Sequence, residues 1–232
     1  MNEFIDHRNS DLWNMLNDKF EITIEKSPNQ EYSCYTINNT AIIRVDYNNV
    51  SVDSFTHELL HIYLKNKEFY LGASIKLTLK QSKILQRLLT DNLLEHIGNS
   101  LDHLKMFEIY KSMDCKKEKF LLDYNMYKFS EQDSIVLKKQ YRLRNKVNPV
   151  CVDFYIGKLI ALLCDPNDNN DYTEALKEFE KQDSDLFKAV NNLIEETLNY
   201  DIDSDDIFNS YRDIANNFYS RLIKWINKNK IN

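Results

Sequence analysis

Glycine and proline, the residues that most often interrupt helices and strands, are scarce in this sequence. There are three of each among 232 residues, while 43% of the residues are hydrophobic and 28% are charged. This composition argues against a disordered or loop-rich chain and is enough for a sizeable core. We therefore expect a folded protein in which long helices predominate.

Long apolar runs, cysteine pairs and basic clusters are also missing. No stretch approaches the ~20 apolar residues of a membrane span, and the first residues lack the apolar core of an export signal. The four cysteines lie far apart with no Cys-x-x-Cys pair, which predicts reduced thiols in the cytoplasm. A formal net charge of −6 argues against direct nucleic-acid binding. We expect a protein or peptide partner and no membrane association, whereas the oligomeric state stays open.

The most informative motif is His-Glu-x-x-His, formed by His57, Glu58 and His61. About 0.006 such matches are expected by chance in a chain of this composition. On a helix the two imidazoles lie one turn apart and can both bind one tetrahedral zinc ion, while Glu58 lies about 100° away around the axis. Glu58 would then act as general base, and afterwards as acid, in a metal-assisted hydrolysis.

The alternative for this segment is a surface helix with two solvated histidines. The helical wheel instead separates an apolar arc from a polar one. The apolar arc holds Phe55, Leu59, Leu60, Ile62 and Tyr63, and the polar arc holds Ser54, His57, Glu58, His61 and Lys65. Ser51 or Asp53 is placed to cap the first turn. This pattern favours a helix that packs on one side and presents a metal site on the other.

Three segments before this helix have the composition of strands, at 21–25, 32–36 and 41–47. Asn38 and Asn39 would form the turn of a hairpin between the last two segments. We expect a small sheet that leads directly into the His57 helix. Its edge strand either binds an extended peptide by main-chain pairing or is simply part of the core.

Catalytic zinc normally takes three protein ligands, so a later segment must supply the third. The extended motif, with Gly and His three and six residues after His61, is absent because Leu64 and Lys67 stand there. A long helix is predicted at 79–110, with a leucine-rich face opposite a polar face. The polar face holds Asn92, Glu95, His96, Asn99, Asp102 and His103. The candidate third ligands are Glu95, His103 and His96, followed by Asp91 and Asp102.

Glu95, Gly98 and Asn99, placed after a strand and a His-Glu-x-x-His helix, resemble the second motif of the ImmA/IrrE-type, gluzincin-like zinc metallopeptidases. The resemblance covers about residues 20–110. It implies a zincin-like domain, Zn²⁺ as cofactor, and His57, His61 and Glu95 as the metal ligands. It also implies that Gly98 lets its helix approach the His57 helix, which would explain a mid-helix glycine that costs about 1 kcal/mol relative to alanine.

The second half of the chain shows the apolar spacing of helices that form a bundle or a cap. The predicted helices lie at 130–144, 150–164, 172–181, 186–199 and 205–227. We predict a zincin-like metallopeptidase domain at 1–112 and a helical domain at 113–232. Residues that are able to stabilise an oxyanion, but equally able to serve as packing or surface residues, are Tyr124, Tyr127, Tyr141, Arg142, Arg144 and Tyr155.

These features predict an α+β protein that hydrolyses a protein or peptide bond with a zinc ion and with Glu58 as general base. One alternative is a catalytically inactive, zincin-like regulatory binding module. Another is a hydrolase of non-peptide amides, which would need the same site in a narrower pocket.

Overall fold

The computed structural model describes residues 3–204, 206 and 210–231. Helices make up 59% of the described residues and strands 9%, which confirms the predicted α+β class with a helical second half. The chain divides into two compact units, both discontinuous in sequence. The first comprises Met1–Phe69 and Lys105–Tyr124, and the second comprises Tyr70–Leu104 and Asn125–Asn232. The predicted domain boundary between residues 112 and 113 stays a prediction.

The first unit combines a small sheet with helices. Its elements are α1 (Ser10–Asn17), β1 (Glu21–Lys26), β2 (Ser33–Ile37), β3 (Thr40–Val45), α2 (Val52–Asn66) and the end of α5 (Asp91–Ser112). The strand order is β1–β3–β2, with β1 parallel and β2 antiparallel to β3. Asn38 takes a left-handed φ of 51° in the two-residue turn between β2 and β3. The small sheet and the hairpin that the sequence predicts are thus confirmed, and the sheet has three strands.

The core of this unit lies where β3 meets α2. Because successive strand residues point to opposite faces, every second residue of β3 is buried. These residues are Ala41, Ile43 and Val45, and they share one apolar cluster with Phe55, Leu59 and Ile62 of α2. The predicted apolar arc of α2 is therefore the side that packs against the sheet.

Polar contacts fix the first turn of α2. The Ser51 hydroxyl accepts a hydrogen bond from the main-chain N–H of Ser54. Ser51, one of the two predicted candidates, is therefore the N-cap. Asn9 Nδ2 donates to Thr56 Oγ1 at 2.9 Å, and Arg8 Nη1 lies 2.6 Å from Asp53 Oδ1. These contacts hold the start of the helix that carries His57.

Within its described residues, the second unit is helical apart from one short hairpin. Its elements are α3 (Leu71–Leu79), α4 (Lys83–Leu88), the first part of α5, α6 (Glu131–Lys139), β4 (Arg142–Leu143), β5 (Lys146–Val147), α7 (Val152–Leu163), α8 (Thr173–Gln182), α9 (Ser184–Asn199) and α10 (Tyr211–Asn229). Helix α10 packs against α3 and α9. The predicted start of the last helix at residue 205 lies outside the described residues, and α10 begins at Tyr211 after the capping side chain of Ser210.

The prediction of one long helix at 79–110 is wrong. The chain forms α3, α4 and α5 there, and capping side chains set both breaks. Ser82 accepts a hydrogen bond from the main-chain N–H of Leu85, and Thr90 accepts one from that of Leu93. Each cap satisfies a main-chain donor that the first turn of a helix leaves without an intrahelical partner.

Two glycines allow a close approach between α3 and α5. A Cβ atom on Gly72 would lie 2.6 Å from the Cα of Gly98, and one on Gly98 would lie 3.1 Å from the Cα of Gly72. The predicted close contact at Gly98 exists, but its partner is α3 and not the His57 helix as the resemblance implied. Any side chain at Gly72 would force the two backbones apart.

A buried carboxylate connects several helices of the second unit. Asp183 Oδ2 accepts hydrogen bonds from Tyr141 Oη at 2.8 Å and Trp225 Nε1 at 2.9 Å, and lies 3.3 Å from Arg142 Nη2. Tyr155 Oη donates to the main-chain oxygen of Asp183 at 3.1 Å. Three of the candidate oxyanion residues, Tyr141, Arg142 and Tyr155, thus take part in a structural network.

No helix in the described part of the chain combines the length and the apolar character that a membrane crossing requires.

Candidate metal centre

Helix α2 places the two motif histidines on one face. His57 and His61 are separated by one helical turn, and their ring centroids lie 5.0 Å apart with an angle of 71° between the ring planes. His57 is buried and His61 is half-buried. The polar arc of α2 is therefore largely shielded from solvent. This differs from the alternative interpretation, a surface helix with two solvated histidines.

His103 of α5 completes a group of three imidazoles. One nitrogen each of His57, His61 and His103 lie within 4.8 Å of one another, so the group could hold a metal ion. Nitrogen ligands at 2.0–2.1 Å around a tetrahedral zinc ion lie about 3.3 Å apart, a spacing that small side-chain rotations would reach from this arrangement. Imidazole ligands suit zinc, copper, iron and nickel, so the donor set fits a metal without defining which one.

Glu58 lies beside this group in an environment that excludes water. Its side chain is buried, and this burial raises the pKa of the Glu58 carboxyl to about 7. The nearby imidazole of His61 and the main-chain N–H of Cys34 act in the opposite direction and lower the pKa. The carboxyl is thus held between the histidine helix and strand β2.

The effect of the Cys34 N–H on Glu58 shows how β2 is oriented. Cys34 lies opposite Ile43 of β3, yet its N–H points away from β3 and towards Glu58. In an antiparallel pair, such outward-facing main-chain groups occur at every second residue. Strand β2 forms one edge of the described sheet, with Tyr35 and Ile37 exposed on its outer face.

Phe120 is a site residue that the sequence analysis missed. Its ring contacts His57 in a T-shaped arrangement with centroids 4.8 Å apart, and Phe107 and Tyr110 pack on its other sides at 4.9 and 5.0 Å. This packing restricts the orientation of the His57 imidazole. Phe120 follows a short lysine-rich segment, and no motif there distinguishes it from an ordinary core aromatic residue.

The other predicted ligands lie in different surroundings. The Glu95 side chain is 68% exposed and forms an ion pair with Lys76 Nζ at 3.2 Å. His96 is exposed, with Nε2 3.3 Å from the main-chain oxygen of Gly157. Asp91 forms an ion pair with Lys80 at 2.6 Å. The three-histidine group includes none of them.

Comparisons of the chain with protein-family models, with curated proteins and with solved structures found no match. The resemblance to the ImmA/IrrE-type metallopeptidases stays a prediction.

Proposed function

We propose that this protein is a zinc-dependent metallopeptidase that cleaves an extended segment of a protein or peptide. The observation that carries the proposal is a buried carboxylate, Glu58, directly beside a group of three imidazoles. Three protein ligands are the usual complement of catalytic zinc, whereas structural zinc normally takes four. Three histidine ligands would therefore leave the fourth coordination position of the metal ion for a reacting molecule.

His57, His61 and His103 would hold the metal ion, with His103 taking the role that the resemblance implied for Glu95. A zinc ion bound there would supply Lewis-acid chemistry, polarising the substrate carbonyl and lowering the pKa of a water molecule. Phe120 would keep the His57 ring in its binding orientation, since the two rings are in contact. Fixed ligand orientation is what a preorganised metal site requires.

Glu58 would move the proton. Its carboxylate would accept a proton from the attacking water and afterwards donate it to the nitrogen of the leaving amine. The N–H of Cys34 would donate to one carboxylate oxygen, because it faces Glu58 and favours the charged form of its carboxyl. Glu58 and His57 are buried away from bulk water, so the charges that develop during the reaction would interact more strongly than in solvent.

Strand β2 supports a peptide rather than a small amide as substrate. The main-chain N–H of Cys34 faces Glu58, and the alternation of the strand turns the main-chain groups of Thr36 towards the same edge. An extended peptide that pairs with this edge would bring its own main chain close to Glu58. Substrate binding would then depend on the substrate backbone more than on one side-chain pocket.

The proposal is tested by incubating the protein with a degenerate peptide library and identifying new termini by mass spectrometry. We expect cleavage with the zinc-loaded protein, none after chelation, and recovery when zinc is restored. Glu58→Gln is the control for a contaminating protease. A zinc-loaded wild type that cleaves neither the library nor unfolded protein substrates, while still binding peptides, would support the inactive binding module instead.

A further inference from the structure

The helical unit contains a second feature that the proposed peptidase does not use, a groove of about 330 Å³ between α9 and α10. The residues that line it recur every three or four positions, so each helix presents one continuous stripe to the groove. From α9 the stripe contains Asp185, Lys188, Ala189 and Asn192. From α10 it contains Arg221, Lys224, Trp225 and Lys228.

Ion pairs connect the two helices at both ends of this α9–α10 groove. Lys228, near the end of α10, pairs with Asp185, near the start of α9. Arg221 lies about two helical turns earlier on α10 and pairs with Glu196, which lies further along α9. The two helices therefore run antiparallel. The carboxylates of Asp185 and Glu196 neutralise the cations at the two ends of the groove.

The middle of the groove is different. Lys188 and Lys224 occupy the central positions of the two stripes, and neither forms an ion pair within the described residues. Two ammonium groups thus line one concave surface without a matching carboxylate, in a chain whose formal net charge is −6. Like charges held on one surface repel each other, and a bound anion removes that cost.

We infer that the α9–α10 groove is a binding site for a small organic phosphate monoester. A phosphate monoester carries a charge of about −1.5 to −2 at neutral pH, which matches two lysine ammonium groups. Lysine binds phosphate as a mobile point charge, and the groove volume is at the lower end of the range of small-ligand pockets. Ala189 and Trp225 also line the groove and are buried, so they would provide an apolar surface for the organic part.

Isothermal titration with glycerol 3-phosphate tests this site, with glycerol as the neutral reference and ionic strength held constant. We expect one saturable site in the wild type and none for glycerol. The double variant Lys188→Gln, Lys224→Gln should bind at least tenfold more weakly. Both lysines are exposed on helix surfaces, so this variant keeps the buried side of each helix unchanged.

The matched control removes two lysines from elsewhere on the same unit. Lys177→Gln with Lys181→Gln on α8 changes the net charge equally, and its affinity should stay within twofold of the wild type. Three results would overturn the inference: no saturable binding in the wild type, an unchanged affinity in the groove variant, or an equal loss in the α8 variant. An unchanged groove variant would place the phosphate elsewhere and leave the peptidase proposal unaffected.

Discussion

The main-chain N–H of Cys34 in β2 faces the carboxyl of Glu58 in α2 and lowers its pKa, whereas burial raises it. This contact joins the sheet edge to the helix that carries both motif histidines. The Glu58 side chain is buried, and it lies on the same helix as His57 and His61. The arrangement separates the residue proposed to move a proton from the residues proposed to bind the metal.

The first prediction follows from this separation. Glu58→Gln preserves the size of the side chain and an oxygen that can face the N–H of Cys34, but it cannot accept a proton. Turnover should therefore fall by the ~10²–10⁴ typical of a lost general base, while metal content stays at that of the wild type. Peptide hydrolysis and elemental analysis on the same samples measure both quantities. A variant with full activity would remove Glu58 from the mechanism.

The second prediction concerns metal removal. A metal ion held by His57, His61 and His103 would connect α2 to α5, and binding to the folded state alone stabilises it. The gain is about 4 kcal/mol at a thousandfold excess over Kd, or roughly 10 °C in Tm for a chain of this size. Chelation should therefore lower the Tm of the wild type in differential scanning calorimetry, and it should leave the Tm of His57→Ala unchanged. An identical wild-type Tm after verified metal removal contradicts the link.

The third prediction uses the glycine contact between α3 and α5. Gly72→Ala should cost about 1–3 kcal/mol of unfolding free energy, because its Cβ would meet backbone atoms that cannot rotate away. Gly157→Ala is the control, since its Cβ would lie 3.2 Å from the flexible end of Leu93. In that variant the gain of about 1 kcal/mol in helix propensity is offset by the small displacement of Leu93, so stability should change little. Urea unfolding distinguishes the two, and equal stabilities would refute the close contact.

The fourth prediction concerns the network around Asp183. Asp183→Ala would remove the acceptor of the buried Tyr141 and Trp225 donors and the partner of Arg142, so we expect a loss of about 3–5 kcal/mol. Glu174→Ala is the control, because Glu174 forms an exposed ion pair with Lys177 that should contribute under about 1 kcal/mol. Denaturant unfolding measures both changes. Similar values for the two variants would show that the buried network contributes little.

The sequence predicted α2 well because its signals are local. The spacing of Phe55, Leu59 and Ile62 defines the buried side within four turns, and Ser51 caps the helix from the adjoining residue. The His-Glu-x-x-His spacing likewise fixes the relative positions of His57 and His61 without reference to any other element. The small sheet was predictable for the same reason, since alternation and the Asn38–Asn39 turn are local signals.

Which polar residue of α5 lies near His57 and His61 could not be predicted from local signals. Glu95 and His103 lie on similar sides of a helical wheel, but eight residues separate them by about 12 Å along the axis. The wheel ignores that distance. The ion-pair partner of Glu95, Lys76, belongs to α3, so a wheel of α5 alone does not show it. The breaks at Ser82 and Thr90 were missed because both residues are also common on helix surfaces.

The most direct test of the central claim is to identify the third metal ligand. The measurement is the metal stoichiometry of each variant after zinc loading and exhaustive dialysis. We predict about one zinc ion per chain in the wild type, and the same value in Glu95→Gln and His96→Ala, whose side chains are exposed. His57→Ala, His61→Ala and His103→Ala should each lose most of the bound metal. A His103→Ala protein that keeps its full zinc content while Glu95→Gln loses it would contradict the three-histidine centre.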